Sequence, residues 1–305
     1  LLALLLVYLG CTPAPPAVNK TTPPINPEIT LVDHPDPQEL FKLVLAEQEK
    51  HQRKLGKLKF TSRHETRIFD PYERVTDLKI RTVIRDGDSA WCDLYNQPGL
   101  LGGGPRNVVV RTYMVWNGHL YFWWGEGLVA GQMCEYSRHS VPKNIEPMMR
   151  SDADVYPEQR FAYGTSKHPL AKVGSIDPQK YASRFEAERT TDSEGRVLYT
   201  LKGWMNDLVS YPKPVWVLTV DPYKGYMVTN GQVEDPTGGR IVSTFVVTAK
   251  EISPGIWFPV EWEVRSYGGA PDPSTGERQL GSISKYTISD ITLNPTIHKD
   301  QFTWK

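Results

Sequence analysis

The chain has 305 residues, and 35 Lys and Arg side chains balance 35 Asp and Glu, so its formal net charge is zero. A general nucleic-acid binder needs a basic excess to neutralise phosphates, and the charge balance therefore argues against that class. Aromatic residues make up 11% of the chain, which also has 24 Gly and 25 Pro. Aromatic strands with Gly and Pro turns are typical of β-rich proteins. A single short apolar run excludes a polytopic membrane protein.

That apolar run lies at residues 1–9 and is too short to span a bilayer, which takes about 20 residues. It is typical of the apolar core of a secretory signal peptide, and we interpret residues 1–10 as a truncated signal peptide. Gly10 before Cys11 resembles the bacterial lipobox, with a bulkier Tyr8 and Leu9 than usual. This resemblance implies cleavage before Cys11 and lipidation of its thiol. An ordinary signal peptide with an incidental cysteine is the alternative.

Residues 11–35 are rich in proline, which forbids helix and favours extended, solvated chain. We interpret them as a tether that holds a lipid-anchored domain away from a membrane; a plain N-terminal tail has the same composition. Residues 36–305 then form a single domain. In an exported chain, Cys92 and Cys134 can pair as a disulfide or remain thiols, and the sequence leaves both open.

The folded part is predicted to begin with a helix. Asp36 can cap it, Pro37 suits its first position, and Glu39 occupies the capping-box position. Apolar residues follow at helical spacing, and the helix is expected to end near Leu55 and Gly56. Beyond it, period-two patterns predict strands over 75–85, 90–95, 108–116, 119–124, 197–204, 215–220, 225–229, 241–250, 258–265 and 286–293.

Three turns and irregularities can be predicted within these strands. Asn117-Gly118 indicates a two-residue hairpin turn that would pair Trp116 with His119, Met114 with Tyr121 and Thr112 with Trp123. Both faces of this hairpin are apolar, so we expect it to be covered on both sides. Asp221-Pro222-Tyr223-Lys224 is a typical turn sequence, and a change of phase near Ser289-Asp290 indicates a β-bulge.

Residues 125–189 are rich in Pro and charge and have weak periodicity. We interpret this segment as an insertion rather than a second domain. Asp177-Pro178 predicts a second short helix that runs to about Glu188.

The motifs of catalysis are absent or incomplete. The sequence has no H-E-x-x-H, G-x-S-x-G or P-loop, and its seven His residues include no i, i+4 pair. Ser282-Ile283-Ser284-Lys285 matches S-x-x-K by letter but lies in a predicted strand. Glu261 and Glu263 share one strand face, which makes a poor acid/base pair for a sugar-active protein. We therefore predict a protein that is not an enzyme and takes no metal or cofactor.

Two other features bear on binding. Aromatic residues are concentrated in the strands; core packing explains most of them, and a cavity for an apolar ligand is the alternative. A basic run surrounds the end of the helix with Glu65 as its acidic member, and it is either a solvated face or a surface for anionic headgroups. The run consists of Lys50, Arg53, Lys54, Lys57, Lys59, Arg63 and Arg67.

One helix followed by long antiparallel hairpins resembles the LolA/LolB-type family of lipoprotein-sorting proteins. The segments that carry this resemblance are 36–40, 113–118, 218–226, 255–259, 291–295 and 300–302. The resemblance covers most of residues 36–305. It implies an α+β, mainly β fold: a curved antiparallel sheet that forms an incomplete barrel, with the N-terminal helix and the second short helix on its concave face.

The resemblance also implies a function. The concave face would bind a lipid or a lipoprotein acyl chain, with Leu40, Phe41 and Val44 as lid residues and Trp116, Tyr121 and Trp123 as lining residues. The chain would be a lipoprotein of the bacterial cell envelope, anchored at Cys11 and facing the periplasm, with the outer membrane expected. A structural or protein-interaction module with a dry core and no ligand is the alternative.

Overall fold

The structure is a computed structural model, and it describes residues 31–33, 36–69, 74–86, 89–96, 108–116, 121–129, 132–140, 182–205, 215–235, 240–268 and 274–302. The predicted signal peptide, most of the tether and Cys11 lie outside the described residues, as does 141–181. Within the described part of the chain, no helix is both long enough and apolar enough to cross a membrane.

The N-terminal helix forms where its sequence signals predicted. Helix α1 spans Pro37–Leu55, and the Asp36 side chain accepts hydrogen bonds from the backbone N–H groups of Gln38 and Glu39, each at 3.0 Å. These bonds satisfy donors that a helix start otherwise leaves without acceptors. Glu39 forms an ion pair with Lys42 at 2.8 Å. Gly56 ends the helix with a φ of 50°, in the left-handed region that favours glycine.

Thirteen antiparallel strands follow among the described residues, and they form one sheet. Their bounds are β1 Lys57–Ile68, β2 Arg74–Asp86, β3 Ser89–Asn96, β4 Val108–Trp116, β5 Tyr121–Val129, β6 Gln132–Ser140, β7 Ala182–Thr191, β8 Val197–Met205, β9 Val215–Asp221, β10 Met227–Asp235, β11 Arg240–Ser253, β12 Ile256–Gly268 and β13 Gln279–Leu293. Two 3-10 helices, Pro222–Lys224 and Lys299–Phe302, are the other helical segments among the described residues.

The strand order consists of two meanders that meet at the centre of the sheet. The order is β6-β5-β4-β3-β2-β1-β13-β12-β11-β10-β9-β8-β7, so each strand pairs with its chain neighbour except at one place. There β1 pairs with β13, from Leu58 opposite Leu293 to Ile68 opposite Ser282. The curved sheet stays open, because β6 and β7 lie at its opposite edges. The predicted mainly β, incomplete-barrel architecture is confirmed.

The hydrophobic core lies on one face of the sheet, which we call the inner face. Side chains of α1 pack there with alternate residues of the strands, as period-two geometry requires. The fully buried large residues of this core include Phe41, Phe60, Tyr199, Trp216, Phe258 and Trp262. On the opposite, outer face, Ile84 and Val115 are also buried. The Asn117-Gly118 hairpin was expected to be covered on both sides. Its strand β4 agrees with this expectation, because Met114 is buried on one face and Val115 on the other.

The turn predictions are confirmed in two cases and corrected in one. The 3-10 helix Pro222–Lys224 forms where the Asp221 turn was predicted, and Asp290 has a φ of 55° at a bulge in the β1–β13 pairing. The predicted β4–β5 hairpin also forms, but its register is shifted by two residues. Trp116 pairs with Tyr121 and Met114 with Trp123. A shift of two keeps every side chain on its predicted face.

Two predictions about the middle of the chain require correction. The second short helix at 177–188 is wrong over its described part, because Ala182–Thr191 is the edge strand β7. Residues 177–181 lie outside the described residues. Both ends of the insertion predicted at 125–189 are strands of the sheet, with β5 and β6 at one end and β7 at the other.

Gly203 on β8 makes room for a large ring in the core. A Cβ at this position would lie 2.4 Å from an atom of the Trp216 indole on β9. Real Cβ atoms do not approach other heavy atoms so closely, and Trp216 is itself buried. The absence of a side chain at Gly203 therefore lets the indole lie across the neighbouring strand.

We expect Gly203→Ala to destabilise the protein by about 1–3 kcal/mol, because the added methyl group overpacks the core against Trp216. Urea unfolding measures the change in free energy of unfolding. Gly268→Ala is the matched control, since a Cβ at Gly268 meets nothing within 4 Å. Equal stability of the two variants would contradict this account of the core.

Candidate ligand-binding face

Helix α1 covers only one part of the inner face. It packs chiefly against β7 and β12. Leu40, Phe41 and Val44, the predicted lid residues, are all buried in the core. The ring of Phe41 lies 5.1 Å from that of Phe185 on β7, which in turn lies 6.0 Å from Trp216. The predicted lid residues therefore contact the inner face directly and join a cluster of aromatic rings.

Two polar side chains attach the C-terminal half of α1 to the sheet. The Gln48 side-chain amide donates a hydrogen bond to the backbone carbonyl of Tyr226 at 2.7 Å, and Gln48 is buried. His51 Nε2 lies 2.7 Å from the backbone carbonyl oxygen of Trp257, so this nitrogen carries the proton and donates. His51 also packs on Gly225, where a Cβ would lie 2.5 Å from its ring. These contacts fix the position of the helix on the turn after β9.

Tyr226 occupies that turn in an unusual backbone conformation. Its φ is 57°, in the left-handed region that non-glycine residues seldom adopt. Burial raises the pKa of its phenol above the ordinary value, and the neighbouring Tyr199 and Glu47 raise it further. The ring stacks on that of Tyr199 at 6.4 Å. The turn whose carbonyl accepts the hydrogen bond from Gln48 thus contains a buried, neutral phenol ring.

The chain before α1 is also attached to the sheet. The Tyr199 hydroxyl accepts a hydrogen bond from the backbone N–H of Val32 at 2.6 Å and donates one to the carbonyl of Val32 at 3.1 Å. Asp33 forms an ion pair with Arg189 on β7 at 3.3 Å. The helix is therefore fixed at both ends, at Val32 before it and at Gln48 and His51 along its second half.

Three stacked rings occupy the centre of the inner face. His64 on β1 stacks on Tyr286 of β13, with ring centroids 3.9 Å apart and planes 6° apart. Tyr286 stacks in turn on Trp262 of β12 at 4.6 Å and 14°. The stack crosses the junction of the two meanders. It forms a column of rings between the part of the inner face under α1 and the part formed by β1–β4.

The inner face of β1–β4 combines apolar and basic side chains. The pairing aligns Phe60, Val83, Cys92 and Met114 in one row across the four strands. All four are buried. Arg81 and Arg85 flank Val83 on β2, so they lie on the same face. Both arginines are buried as well, with 8% and 4% of their surface exposed.

The register relates the predicted lining residues Trp116, Tyr121 and Trp123 to this row. Trp123 pairs with Met114, and Trp116 pairs with both Ala90 and Tyr121. The three positions therefore fall on the inner face, at its β4–β5 end. Only the backbone of these residues is described. The fold thus puts the two predicted groups, Leu40, Phe41 and Val44 and the three aromatic residues, on one face but in different parts of it.

Sequence reasoning missed the residues of the ring stack and the two arginines. Strand β1 was not predicted, because its composition is basic and resembles a solvated segment. No neighbours could therefore be predicted for His64. In β2, the apolar residues Ile80 and Ile84 predict that their side of the strand is buried. The opposite side, with Arg81 and Arg85, would then face solvent. The alternation of Leu58, Phe60 and Ser62 was the signal that could have identified β1.

The basic run around the helix end is largely paired. Lys50 lies 3.5 Å from Glu47, Lys57 lies 3.2 Å from Asp86, and Arg67 lies 2.7 Å from Glu65. The hydrogen bond from Arg67 is the main cause of the lowered pKa of Glu65. Exposed pairs of this kind contribute little to stability, and the arrangement is typical of a solvated face.

Cys92 is a buried thiol rather than half of a disulfide, which decides against its pairing with Cys134. Cys92 lies on β3 and Cys134 on β6, with two strands between them.

One N-terminal helix on the inner face of an open, curved antiparallel sheet is the arrangement that the sequence resemblance implied. No protein-family model matches the chain, and no curated protein matches it. Crystal structures that are similar to it include the following two. A DUF1329 family protein from Desulfovibrio piger has a TM-score of 0.47 and 11% identity, over 88% of this chain and 98% of that one. A LolA superfamily protein from Nitrosomonas europaea has a TM-score of 0.43 and 12% identity, over 86% of this chain and 97% of that one.

We expect Gln48→Ala to lower the free energy of unfolding by about 1–3 kcal/mol, because it leaves the buried carbonyl of Tyr226 without its donor. Chemical denaturation checks the value. Gln38→Ala, an exposed change of the same type on the same helix, should stay within about 0.5 kcal/mol of the unchanged protein. If both variants are equally stable, Gln48 does not attach the helix.

Proposed function

We propose that this protein is a non-enzymatic binding protein of the bacterial cell envelope that holds a lipid or an acyl chain on its inner face. The observation that carries the proposal is the extent of that face. Buried apolar side chains continue across β1–β4, beyond the part of the sheet against which α1 chiefly packs. Apolar sites with a few convergent polar groups are typical of small-ligand binding.

In this proposal the ligand chain lies along the row formed by Phe60, Val83, Cys92 and Met114. The stacked ring of His64 borders one side of the row, and Trp116, Tyr121 and Trp123 extend it toward the sheet edge. Leu40, Phe41 and Val44 act as a plug over the neighbouring part of the face. The helix stays in place in this proposal, because its displacement would break the hydrogen bonds of Gln48 and His51 and expose the apolar side chains that it buries in the core.

The second candidate function is a structural or protein-interaction module with a dry core. The packing of α1 favours it, because Phe41, Phe185 and Trp216 form close ring contacts with no room for a chain between them. The two candidates differ at β1–β4, where a ligand chain would lie in the first and protein side chains alone would fill the face in the second.

A fluorescent fatty acid should bind the purified protein, and native mass spectrometry after gentle purification should show lipid adducts. Met114→Trp should weaken binding of the fatty acid at least about tenfold, because the larger ring fills the proposed site of the acyl chain. A tenfold loss corresponds to about 1.4 kcal/mol of binding free energy. Val246→Trp adds the same side chain at an exposed position of β11 and should leave uptake within about twofold.

The contrary result is a protein that is always free of lipid and takes up no fluorescent fatty acid before or after substitution. That outcome would establish the dry-core module. Thermal unfolding of both Trp variants serves as a check that lost uptake reflects a filled site rather than a lost fold.

The envelope location is a separate proposal, based on the apolar leader, the lipobox-like Gly10-Cys11 and the proline-rich tether. Cleavage before Cys11 and lipidation would anchor the domain to a membrane, with the periplasmic face of the outer membrane as its proposed location. A lipid anchor of this kind makes the protein a receptor or scaffold rather than a soluble shuttle.

In a bacterial host, the protein expressed with a complete leader should partition into detergent and begin with a lipid-modified Cys11 by mass spectrometry of its N-terminal peptide. Cys11→Ser should abolish both the modification and the partitioning, because no thiol remains to carry the lipid. An unmodified Cys11 in the mature protein would contradict the anchor and would leave the ligand proposal unaffected.

A further inference from the structure

One end of the inner face is lined by hydroxyl side chains from three neighbouring strands. On β13, Ser284 and Ser282 continue the side of the strand that carries Tyr286, because alternate residues of a strand lie on one side. Thr66 on β1 is opposite Ser284, and Ser266 on β12 is opposite Ser282. We call Thr66, Ser266, Ser282 and Ser284 the hydroxyl cluster. The cluster therefore begins directly beyond the ring stack.

The hydroxyl groups nearest to the stack are joined to His64. The Thr66 Oγ1 atom lies 3.0 Å from His64 Nε2 and 3.1 Å from the Ser284 Oγ atom. His64 stacks in turn on Tyr286, so this chain of hydrogen bonds starts from a fixed ring. A hydroxyl group can donate one hydrogen bond and accept two. Ser284 is therefore held in place by one bond and keeps capacity for further partners.

The other two hydroxyl groups of the cluster have their full capacity. Ser266 and Ser282 are opposite each other on the β12–β13 pair, and among the described residues neither side chain forms a hydrogen bond. Both side chains are partly buried. A polar group that is partly removed from water loses free energy unless another polar group takes the place of the water. A ligand hydroxyl group at this position would provide that partner.

The ionisable positions in the rows of Thr66 and His64 carry both signs. By the β1–β2 register, Asp77 is opposite Thr66 and Lys79 is opposite His64. A charged ligand group at these rows would meet a residue of like sign as well as one of opposite sign. An uncharged polar group avoids this repulsion and also avoids the cost of removing a charge from water. The rows therefore favour an uncharged partner for the cluster.

Apolar side chains connect the cluster with the proposed site of the acyl chain. After Ser284, the inner side of β13 continues with Tyr286 and Ile288, and both are buried in the core. Ile288 is opposite Ser62, which follows Phe60 on the inner side of β1. A molecule with a polar head at the cluster can thus place its hydrocarbon chain on apolar surface of the same face.

We infer that the hydroxyl cluster binds the uncharged, hydroxyl-rich head group of a lipid, a glycerol or sugar group, whose acyl chain lies on the apolar part of the inner face. The inference rests on the proposed function and specifies its ligand. Each hydroxyl group of such a head both donates and accepts hydrogen bonds, as the Ser and Thr side chains do. Donors and acceptors therefore match on both sides without a charged group.

The test compares two fluorescent probes with the same chain and different heads: the glyceryl ester and the methyl ester of dansyl-labelled undecanoic acid, each titrated into the full-length protein. The glyceryl ester should bind about tenfold more tightly, as expected for two hydrogen bonds between uncharged groups. This comparison does not depend on the folding of a variant. Equal affinity of the two probes would overturn the head-group inference and leave the proposed function intact. If neither probe binds, the proposed function fails as well.

Substitutions locate the head group. Ser266→Ala and Ser282→Ala should each weaken binding of the glyceryl ester about two- to tenfold and leave the methyl ester within about twofold, because each removes one hydrogen-bonding group. Ser289→Ala removes a hydroxyl group from an exposed position of the same strand β13 and should change neither affinity. If the Ser266 and Ser282 variants bind the glyceryl ester as the Ser289 variant does, the head group does not lie at the hydroxyl cluster.

Unlabelled competitors identify the head. Monolauroylglycerol should displace the glyceryl probe, whereas free glycerol at the same concentration should not. Equal displacement by free glycerol would show a site for a free polyol and would overturn the assignment of a lipid. Dodecanoate has an acyl chain of the same length and a charged head. Stronger displacement by dodecanoate than by monolauroylglycerol would overturn the assignment of an uncharged head.

Discussion

The pairing of β1 with β13 is the interaction on which the rest of the structure depends. Without it the chain would form two separate meanders, β1–β6 and β7–β13, each with an additional open edge. The pairing runs along almost the whole of β1 and joins the inner faces of the meanders into one surface. The stack of His64, Tyr286 and Trp262 lies across this junction, so a row of backbone hydrogen bonds and a row of aromatic rings support each other there. The stack exists only because the first strand and the last strand are neighbours.

Local signals in the sequence were sufficient for the helix and for most strands. Asp36 and Pro37 act on the first turn of α1 through bonds within a few residues, so their effect can be predicted without knowledge of the fold. The bulge at Asp290 and the turn at Asp221 are local in the same way. The segment at 182–188 shows the limit of such reasoning. Asp177-Pro178 is a good helix start, but Phe185 and Ala187 pair with β8, and tertiary pairing overrides local preference there.

The candidate site was less predictable than the fold, because it depends on which side of each strand faces inward. A period of two divides β2 into two sides but does not say which of them is buried when both carry apolar residues. Ile84 is buried on the outer face and Val83 on the inner face, so burial itself does not distinguish the sides. The choice is made by the register with β1, whose own position in the sheet depends on its pairing with the distant strand β13. The positions of Leu40, Phe41 and Val44 in the core were predictable from helical spacing alone, whereas the inward orientation of Arg81 and Arg85 was not.

The place of β1 in the sheet has a consequence for the order in which the protein is made. Among the described strands, β1 leaves the ribosome first and β13 last. Strand β1 pairs with β2 along one edge and with β13 along the other, so its second edge has no partner until β13 is made. During synthesis that second edge stays open, and open edges recruit strands from other chains. The charged residues Arg63, Glu65 and Arg67 alternate along β1 on its outer side, where they keep the nascent edge soluble and discourage incorrect pairing. The charged composition that made β1 hard to recognise as a strand is thus suited to a strand that stays unpaired on one edge until synthesis ends.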